Sequence, residues 1–251
     1  MSPKASSSLL IGVHSVESAL SRAPGQLRLL MIADECRNPR VLELADRARA
    51  EGVRVVTESR SLLDRRAEEQ RHQDIIAEFE ADNIGREKDL DRILDTVGAT
   101  PLVLVLDGVQ DPHNLGACLR TAEAAGVDLV ILPKDNAAGL TPVARRAASG
   151  AAEVLNILFV TNLARVLRRL KDRGIWLAGT SDDAGTGLYE TDLTGPLGLV
   201  MGGEGKGMRR LTSELCDYRL AIPMRGTVSS LNVSVATGVC LFEIVRQRAG
   251  V

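Results

Sequence analysis

The stretch PLVLVLDGVQDPHNLGACLRTAEAAGVDLVILP, residues 101–133, decides the fold. It opens on a continuous apolar run rich in Val and Leu, which reads as a strand covered on both faces, as in a parallel sheet flanked by helices. Pro112 then fixes a turn, and Asn114 stands where a helix needs a cap. Leu115, Cys118 and Leu119 follow at helical spacing until Gly126 stops the helix. LVILP (129–133) is the next apolar strand. Strand, helix and strand in so short a span predict a parallel crossover unit.

The same rhythm runs to the C-terminus. TPVARRAAS is helical, LNILFV a strand, and NLARVLRRLKDRG a helix stopped by Gly174. IWLAGT and LGLVMG are strands, RRLTSELC a helix, YRLAI a strand, and SLNVSVATGVCLFEIVRQRA the closing helix. Alternation of this kind specifies an α/β class with a mostly parallel sheet and helices on both faces. Towards the N-terminus, LRLLMIA (27–33), VRVVT (53–57) and HQDIIAEFE (72–80) read as strands, and PRVLELADRARAEG (39–52) as a helix. Residues 1–80 therefore form a small α/β domain. Residues 81–97 read as a linker running into a short helix, and 98–251 as the larger domain.

Composition narrows the function. The 251 residues are 45% hydrophobic and 25% charged, ordinary globular values. No apolar run is long enough for a spanning helix, and the N-terminus has no signal-peptide pattern, so the expected location is cytoplasmic and not a membrane. Cys36, Cys118, Cys216 and Cys240 lack paired spacing, and three histidines are too dispersed for a zinc cluster, so no metal is expected. Residues 1–97 hold 15 Lys and Arg against 18 Asp and Glu, within a net charge of −2 for the chain. A nucleic-acid partner would have to be gripped by local patches rather than by a general positive field.

Ligands of such sheets bind beyond the carboxyl ends of the strands. Four loops fall there: DGVQDPHNLG, GTSDDAG, GGEGKG and PMRGTVSSLN. GGEGKG resembles a phosphate-binding loop only superficially. Gly205-Lys206 is followed by Gly207 where Ser or Thr would be needed to reach a magnesium ion, and no glycine stands five residues before Gly205. No G-x-G-x-x-G follows the strand at 101 either. The glycines instead give backbone close access to some other ligand. Around these loops Asn114, Ser230 and Asn232 lie at helix entries, where plain capping is the alternative role. Arg120 could be a solvated helix charge and Glu204 a solvated loop carboxylate.

DPHNLGACLRTAEAAG (111–126), LVMGGEGKGMRR (199–210) and IPMRGTVSSLNVSVATGVCLFE (222–243) resemble, in order and spacing, the three motifs of the SpoU group of RNA ribose methyltransferases in the SPOUT superfamily. GVHSVESAL and HQDIIAEF resemble the small ribosomal-protein-like domain of one branch, which methylates a guanosine in the P loop of 23S rRNA. The resemblance implies S-adenosylmethionine as cofactor and Asn114, Arg120, Glu204, Ser230 and Asn232 as the active-site set. Thr180, Met201, Gly202, Gly205, Ile222 and Leu231 would hold the cofactor, largely through backbone groups. It further implies a C-terminal trefoil knot, which pattern reading alone would never propose, and a homodimer whose site draws on both chains. The branch usually has Gly after its His-Gln pair, where this chain has Asp74. Alternatives are a tRNA ribose methyltransferase of the same group and a non-enzymatic RNA-binding module. Docking of RNA on the first domain would fall to a cluster around Arg65, Arg66, Arg71 and His72.

Overall fold

The computed structural model describes residues 6–68, 70–81, 84–181, 186–205 and 207–250. They form two compact units, Met1–Asn83 with Ser149–Val154, and Ile84–Ala148 with Leu155–Val251.

The first unit runs β1 (Ser6–Ile11), α1 (Val13–Arg22), β2 (Leu27–Ala33), α2 (Pro39–Ala50), β3 (Arg54–Glu58), α3 (Arg60–Arg66) and β4 (Ile75–Ala81). The sheet order is β1-β4-β2-β3, with β4 antiparallel to both neighbours and β2 parallel to β3. Helix α2 starts as its residues dictate. Asn38 accepts the Arg40 N–H at 3.1 Å, Pro39 takes the first turn, and Val41, Leu44, Ala45 and Ala48 face the core.

The segment HQD, expected to open the strand at 72, is a turn instead. Gln73 and Asp74 have φ of 53° and 66°. The cause is the buried His72 ring, whose Nδ1 accepts the Asp74 N–H at 3.0 Å. Its Nε2 therefore carries the proton and donates to Asp64 Oδ1 at 2.9 Å. Asp74 is thus held in a left-handed conformation that suits the glycine usual in the branch it resembles, and its buried Oδ1 accepts no hydrogen bond. Asp74→Gly relieves both costs, against a smaller loss from the more flexible unfolded chain. We expect a net gain of about 1 kcal/mol, measured by urea unfolding. No gain, or a loss, would mean that Arg60, 3.9 Å from the carboxylate, already compensates.

The second unit runs β5 (Ile84–Arg86), α4 (Leu90–Leu94), β6 (Leu102–Asp107), α5 (Pro112–Ala124), β7 (Leu129–Pro133), α6 (Pro142–Ala148), then α7 (Ala151–Val154, which clusters with the first unit) and β8 (Asn156–Val160). It continues with α8 (Leu163–Asp172), β9 (Trp176–Thr180), β10 (Thr186–Gly187), β11 (Leu197–Gly202), α9 (Arg210–Leu215), β12 (Tyr218–Ala221) and α10 (Val233–Ala249). The sheet order is β10-β12-β9-β11-β6-β7-β8-β5, and every pairing among the described residues is parallel. Strand β6 is buried along its whole length, as its unbroken apolar run requires. Helices α4 and α8 cover one face through Leu90, Ile93, Val166, Leu167 and Leu170.

Residues 81–97 hold the expected short helix, α4, and also β5, which pairs with β8 at the sheet edge. Three ion pairs in register tie this segment to α8: Arg165 with Glu87, Arg169 with Asp91, and Arg173 with Asp95. Both sets repeat every four residues, one helical turn apart. Helices α5 and α6 touch closely because Gly116 has no side chain. A Cβ there would lie 2.4 Å from Ala144 O and from the Ala147 Cβ.

Candidate active site

Strands β6, β9, β11 and β12 are parallel neighbours, so their carboxyl ends share one edge of the sheet. A pocket of about 850 Å³ opens there, a volume suited to a cofactor-sized ligand. Thr180, Met201, Gly202, Gly205, Ile222 and Leu231, the six residues expected to contact a cofactor, all line it, as do Glu204 and Ser230. The loop GTSDDAG falls largely on 182–185, outside the described residues.

The glycine loop after β11 folds back on itself. The Gly207 N–H donates to Gly203 O at 3.0 Å, and Gly205 and Gly207 have φ of 76° and 63°. A Cβ at Gly202 would lie 2.3 Å from the backbone of Gly207 and Met208. Gly202 is therefore needed for the loop's own packing, before any ligand is considered. Gly202→Val should displace the loop and weaken binding of the expected cofactor, S-adenosylmethionine, by about tenfold or more. Titration calorimetry on the folded variant checks this; an unchanged affinity would remove the loop from the ligand site.

Three of the expected active-site residues meet in a hydrogen-bonded chain. Asn114 Nδ2 donates to Glu204 Oε1, and Asn232 Nδ2 donates to Asn114 Oδ1 at 3.1 Å. Asn232 Oδ1 accepts the Ser234 N–H at 2.9 Å, which caps α10. The two ends of this chain are unambiguous, a carboxylate that only accepts and a backbone N–H that only donates. They fix the orientation of both amides between them. Asn232 thus serves as cap and as site residue together.

Asn114 is not the cap of α5. Asp111 accepts the His113 N–H at 2.8 Å and Pro112 occupies the first turn, so the cap stands three residues earlier and Asn114 projects from the first turn. Arg120 stays apart from this cluster. It is exposed, its side chain makes no hydrogen bond or ion pair among the described residues, and it does not line the pocket. The sequence reading missed Asp107 and Arg209, an ion pair behind the glycine loop in which the carboxylate is buried and the half-exposed guanidinium covers it. The only sequence signal was an acid at the end of an otherwise apolar strand.

In the first unit, the expected phosphate-binding cluster does not stand as read. His72 is buried on Asp64, and Arg66 pairs with Glu78 at 2.7 Å. Arg65 and Arg71 remain exposed. Burial pushes the Cys118 thiol up to about 11 and the Cys240 thiol up to about 12, which suits small apolar packing rather than reactivity. Among the described residues no group of three or more His, Cys, Asp or Glu is placed to hold a metal ion, and no helix is long and apolar enough to cross a membrane.

A parallel α/β sheet with a glycine-lined pocket at its carboxyl edge and an amide–carboxylate chain beside it defines a ligand-binding enzyme-type site rather than a plain scaffold. The chain belongs to the SpoU rRNA methylase family, whose sequence model matches residues 101–242. A second model, RNA 2'-O ribose methyltransferase substrate binding, matches residues 9–84. The 23S rRNA (guanosine-2'-O-)-methyltransferase RlmB of Shewanella oneidensis is 50% identical over 96% of this chain and 97% of its own length. That of Pseudomonas aeruginosa is 52% identical over 94% and 95%. Among solved structures, the SpoU methyltransferase AviRb from Streptomyces viridochromogenes, in complex with AdoMet, superposes with a TM-score of 0.72 at 28% identity, covering 98% of this chain and 92% of that one. The A. aeolicus TrmH/SpoU tRNA modifying enzyme reaches 0.55 at 32% identity and covers only 65% of this chain and 84% of its own.

Proposed function

We propose that this chain transfers a methyl group from S-adenosylmethionine to the ribose 2'-oxygen of a guanosine in 23S rRNA, which the family resemblance places in the P loop. The carrying observation is the chain of hydrogen bonds from Glu204 through Asn114 to Asn232, set beside a glycine-lined pocket. Relatives near 50% identity along the full chain support the rRNA substrate. The tRNA enzyme covers only two thirds of the chain, which favours the rRNA reading over a tRNA one.

Small residues and backbone line much of the pocket, which fits an adenosine and a methionine moiety. When bound, S-adenosylmethionine supplies an already electrophilic sulfonium methyl group. The protein's own residues must then hold the ribose hydroxyl in line and manage one proton, and positioning of this kind is worth up to about 7–11 kcal/mol. Glu204 and Asn114, locked by their mutual hydrogen bond, orient the ribose. Ser230 contacts it from the opposite loop. Arg120 clamps the adjoining phosphate and the 2'-oxygen, and the proton leaves to phosphate or water, because a guanidinium has no lone pair to receive it.

Arg120 reaches the site from a second copy of the chain, in a homodimer. Helix α10 supports this, since it is apolar on two faces. Val233, Cys240, Leu241 and Ile244 are buried, while Val235 and Phe242 are 52% and 50% exposed one heptad apart. Phe242→Asp should therefore shift the protein to monomer in sedimentation analysis and lower turnover more than cofactor affinity. A variant that stays dimeric would move the interface elsewhere. Insertion of β11 between β6 and β9, with β12 on the far side of β9 and α10 packed on α5, supports the trefoil knot. Residues 1–80 act as a ribosomal-protein-like RNA-docking domain, 81–97 as the connection, and 98–251 carry the chemistry, in the cytoplasm.

The test is methyl transfer from labelled cofactor to total RNA from a strain lacking this protein, with the labelled nucleotide mapped. A labelled guanosine ribose in 23S rRNA is expected. Label confined to tRNA, or none, overturns the proposal.

A further inference from the structure

Asp107, the last residue of β6, has a carboxylate with 0% exposed surface. A charge removed from water needs donors around it. Arg209 supplies two, its N–H to Oδ2 at 3.0 Å and Nε to Oδ1 at 2.6 Å, and its half-exposed guanidinium adds an ion pair, with Nη2 2.5 Å from Oδ1. The main-chain oxygen of Asp107 meanwhile accepts the Gly203 N–H at 2.9 Å. One residue thus grips both ends of the glycine loop, Gly203 with its backbone and Arg209 with its side chain. The loop has no slack at its entry either, since a Cβ at Gly203 would lie 2.2 Å from Gly108 O.

Between those two anchors lie Glu204, which accepts from Asn114, and Gly205 and Met208, which line the pocket. A glycine-rich segment is expensive to order, because each glycine loses more backbone freedom than any other residue. Its shape must be imposed from outside. We propose that Asp107 and Arg209 are a positioning pair for the reaction: they set the loop geometry that the cofactor and Glu204 require, without touching substrate themselves. This rests on the reading of the pocket as the S-adenosylmethionine site.

The pair is tested by calorimetric titration with S-adenosylhomocysteine, thermal unfolding, and turnover at saturating cofactor and RNA. The full chain is compared with Asp107→Asn, Arg209→Ala and Arg209→Lys. Asp107→Asn keeps the shape and one acceptor but loses the charge that holds the guanidinium. It and Arg209→Ala should weaken binding by about tenfold to a hundredfold, by analogy with the range seen for the groups that support metal ligands. Turnover at saturation should fall as well, because Glu204 moves with the loop. Arg209→Lys restores the cation without the planar fork and should recover part of the affinity. Affinity within about twofold of wild type in the first two variants, with only a lowered melting temperature, would make the pair a fold-stabilising contact and overturn the proposal. If Asp107→Asn does not fold, the two Arg209 variants decide by the same criterion. Failure of the wild-type chain to bind S-adenosylhomocysteine is a separate result, and it would overturn the pocket reading first.

Discussion

Arg120→Lys is expected to cut turnover by about a hundredfold or more while leaving S-adenosylmethionine affinity within about twofold of wild type. The split follows from where the residue lies. Arg120 is exposed on α5 and does not line the pocket, so cofactor binding has nothing to lose. Its proposed partners are a phosphate and the ribose oxygen, two acceptors that a planar guanidinium engages in parallel and an ammonium engages only as a point charge. Lys keeps the long-range attraction to RNA, so RNA affinity should change little. What disappears is the geometry, and a hundredfold corresponds to about 2.7 kcal/mol, the scale of one lost charge-assisted contact. Single-turnover assays at saturating RNA check this directly. Near-normal turnover would end the clamp role, and a large loss of cofactor affinity would bring Arg120 into the binding pocket instead. A mixed dimer of Arg120→Lys with Glu204→Gln chains adds a sharper readout, because one wild-type composite site then survives only if Arg120 and Glu204 act from different chains.

How far the sequence carries depends on whether a feature is local. Strands β2, β7 and β11 are read at their true bounds, because a run such as LVILP declares its burial on both faces. Helix α5 begins earlier than Asn114 suggested, since Asp111 and Pro112 form a cap of their own and Asn114 is an equally good capping residue by type. The turn at His72 was misread as strand. Its cause is a ring buried on Asp64, eight residues away, and hydrophobic pattern does not register that. Strand β5 is three residues long and amphipathic only in the context of β8, so a polar stretch hid it. The six residues proposed to contact the cofactor came from family resemblance, and they line one pocket. Asp107 and Arg209 are 102 residues apart; both lie at the edges of stretches quoted for the site, yet nothing in either stretch pairs them, so only the assembled sheet brings them together.

Where the second unit begins decides the other large effect. A fragment starting at 98 would contain every residue proposed for chemistry, yet it should be poorly folded. It discards β5, three ion pairs to α8, and Leu90, Ile93 and Leu94, which are 0%, 5% and 7% exposed. At about 1.5–3 kcal/mol per buried apolar side chain the loss is about 5–9 kcal/mol, comparable with the whole stability of a domain. Surface ion pairs add little to that sum. A fragment starting at 84 keeps all of these contacts, and should fold cooperatively and bind S-adenosylhomocysteine as tightly as the full chain. It should nevertheless methylate 23S rRNA about a hundredfold more slowly at sub-saturating RNA, because it lacks the docking domain and its exposed Arg65 and Arg71. The deficit should shrink as RNA is raised, since the chemical step is untouched, and should be smaller at high salt, where phosphate contacts count for less in the full chain as well. The comparison needs both fragments and the full chain at two salt concentrations, with melting, cofactor titration and methyl incorporation measured on each. Equal rates for the 84–251 fragment and the full chain at low RNA would take the docking role away from the first unit. A stable, cofactor-binding 98–251 fragment would show instead that the edge strand and α4 are dispensable to the sheet they cover.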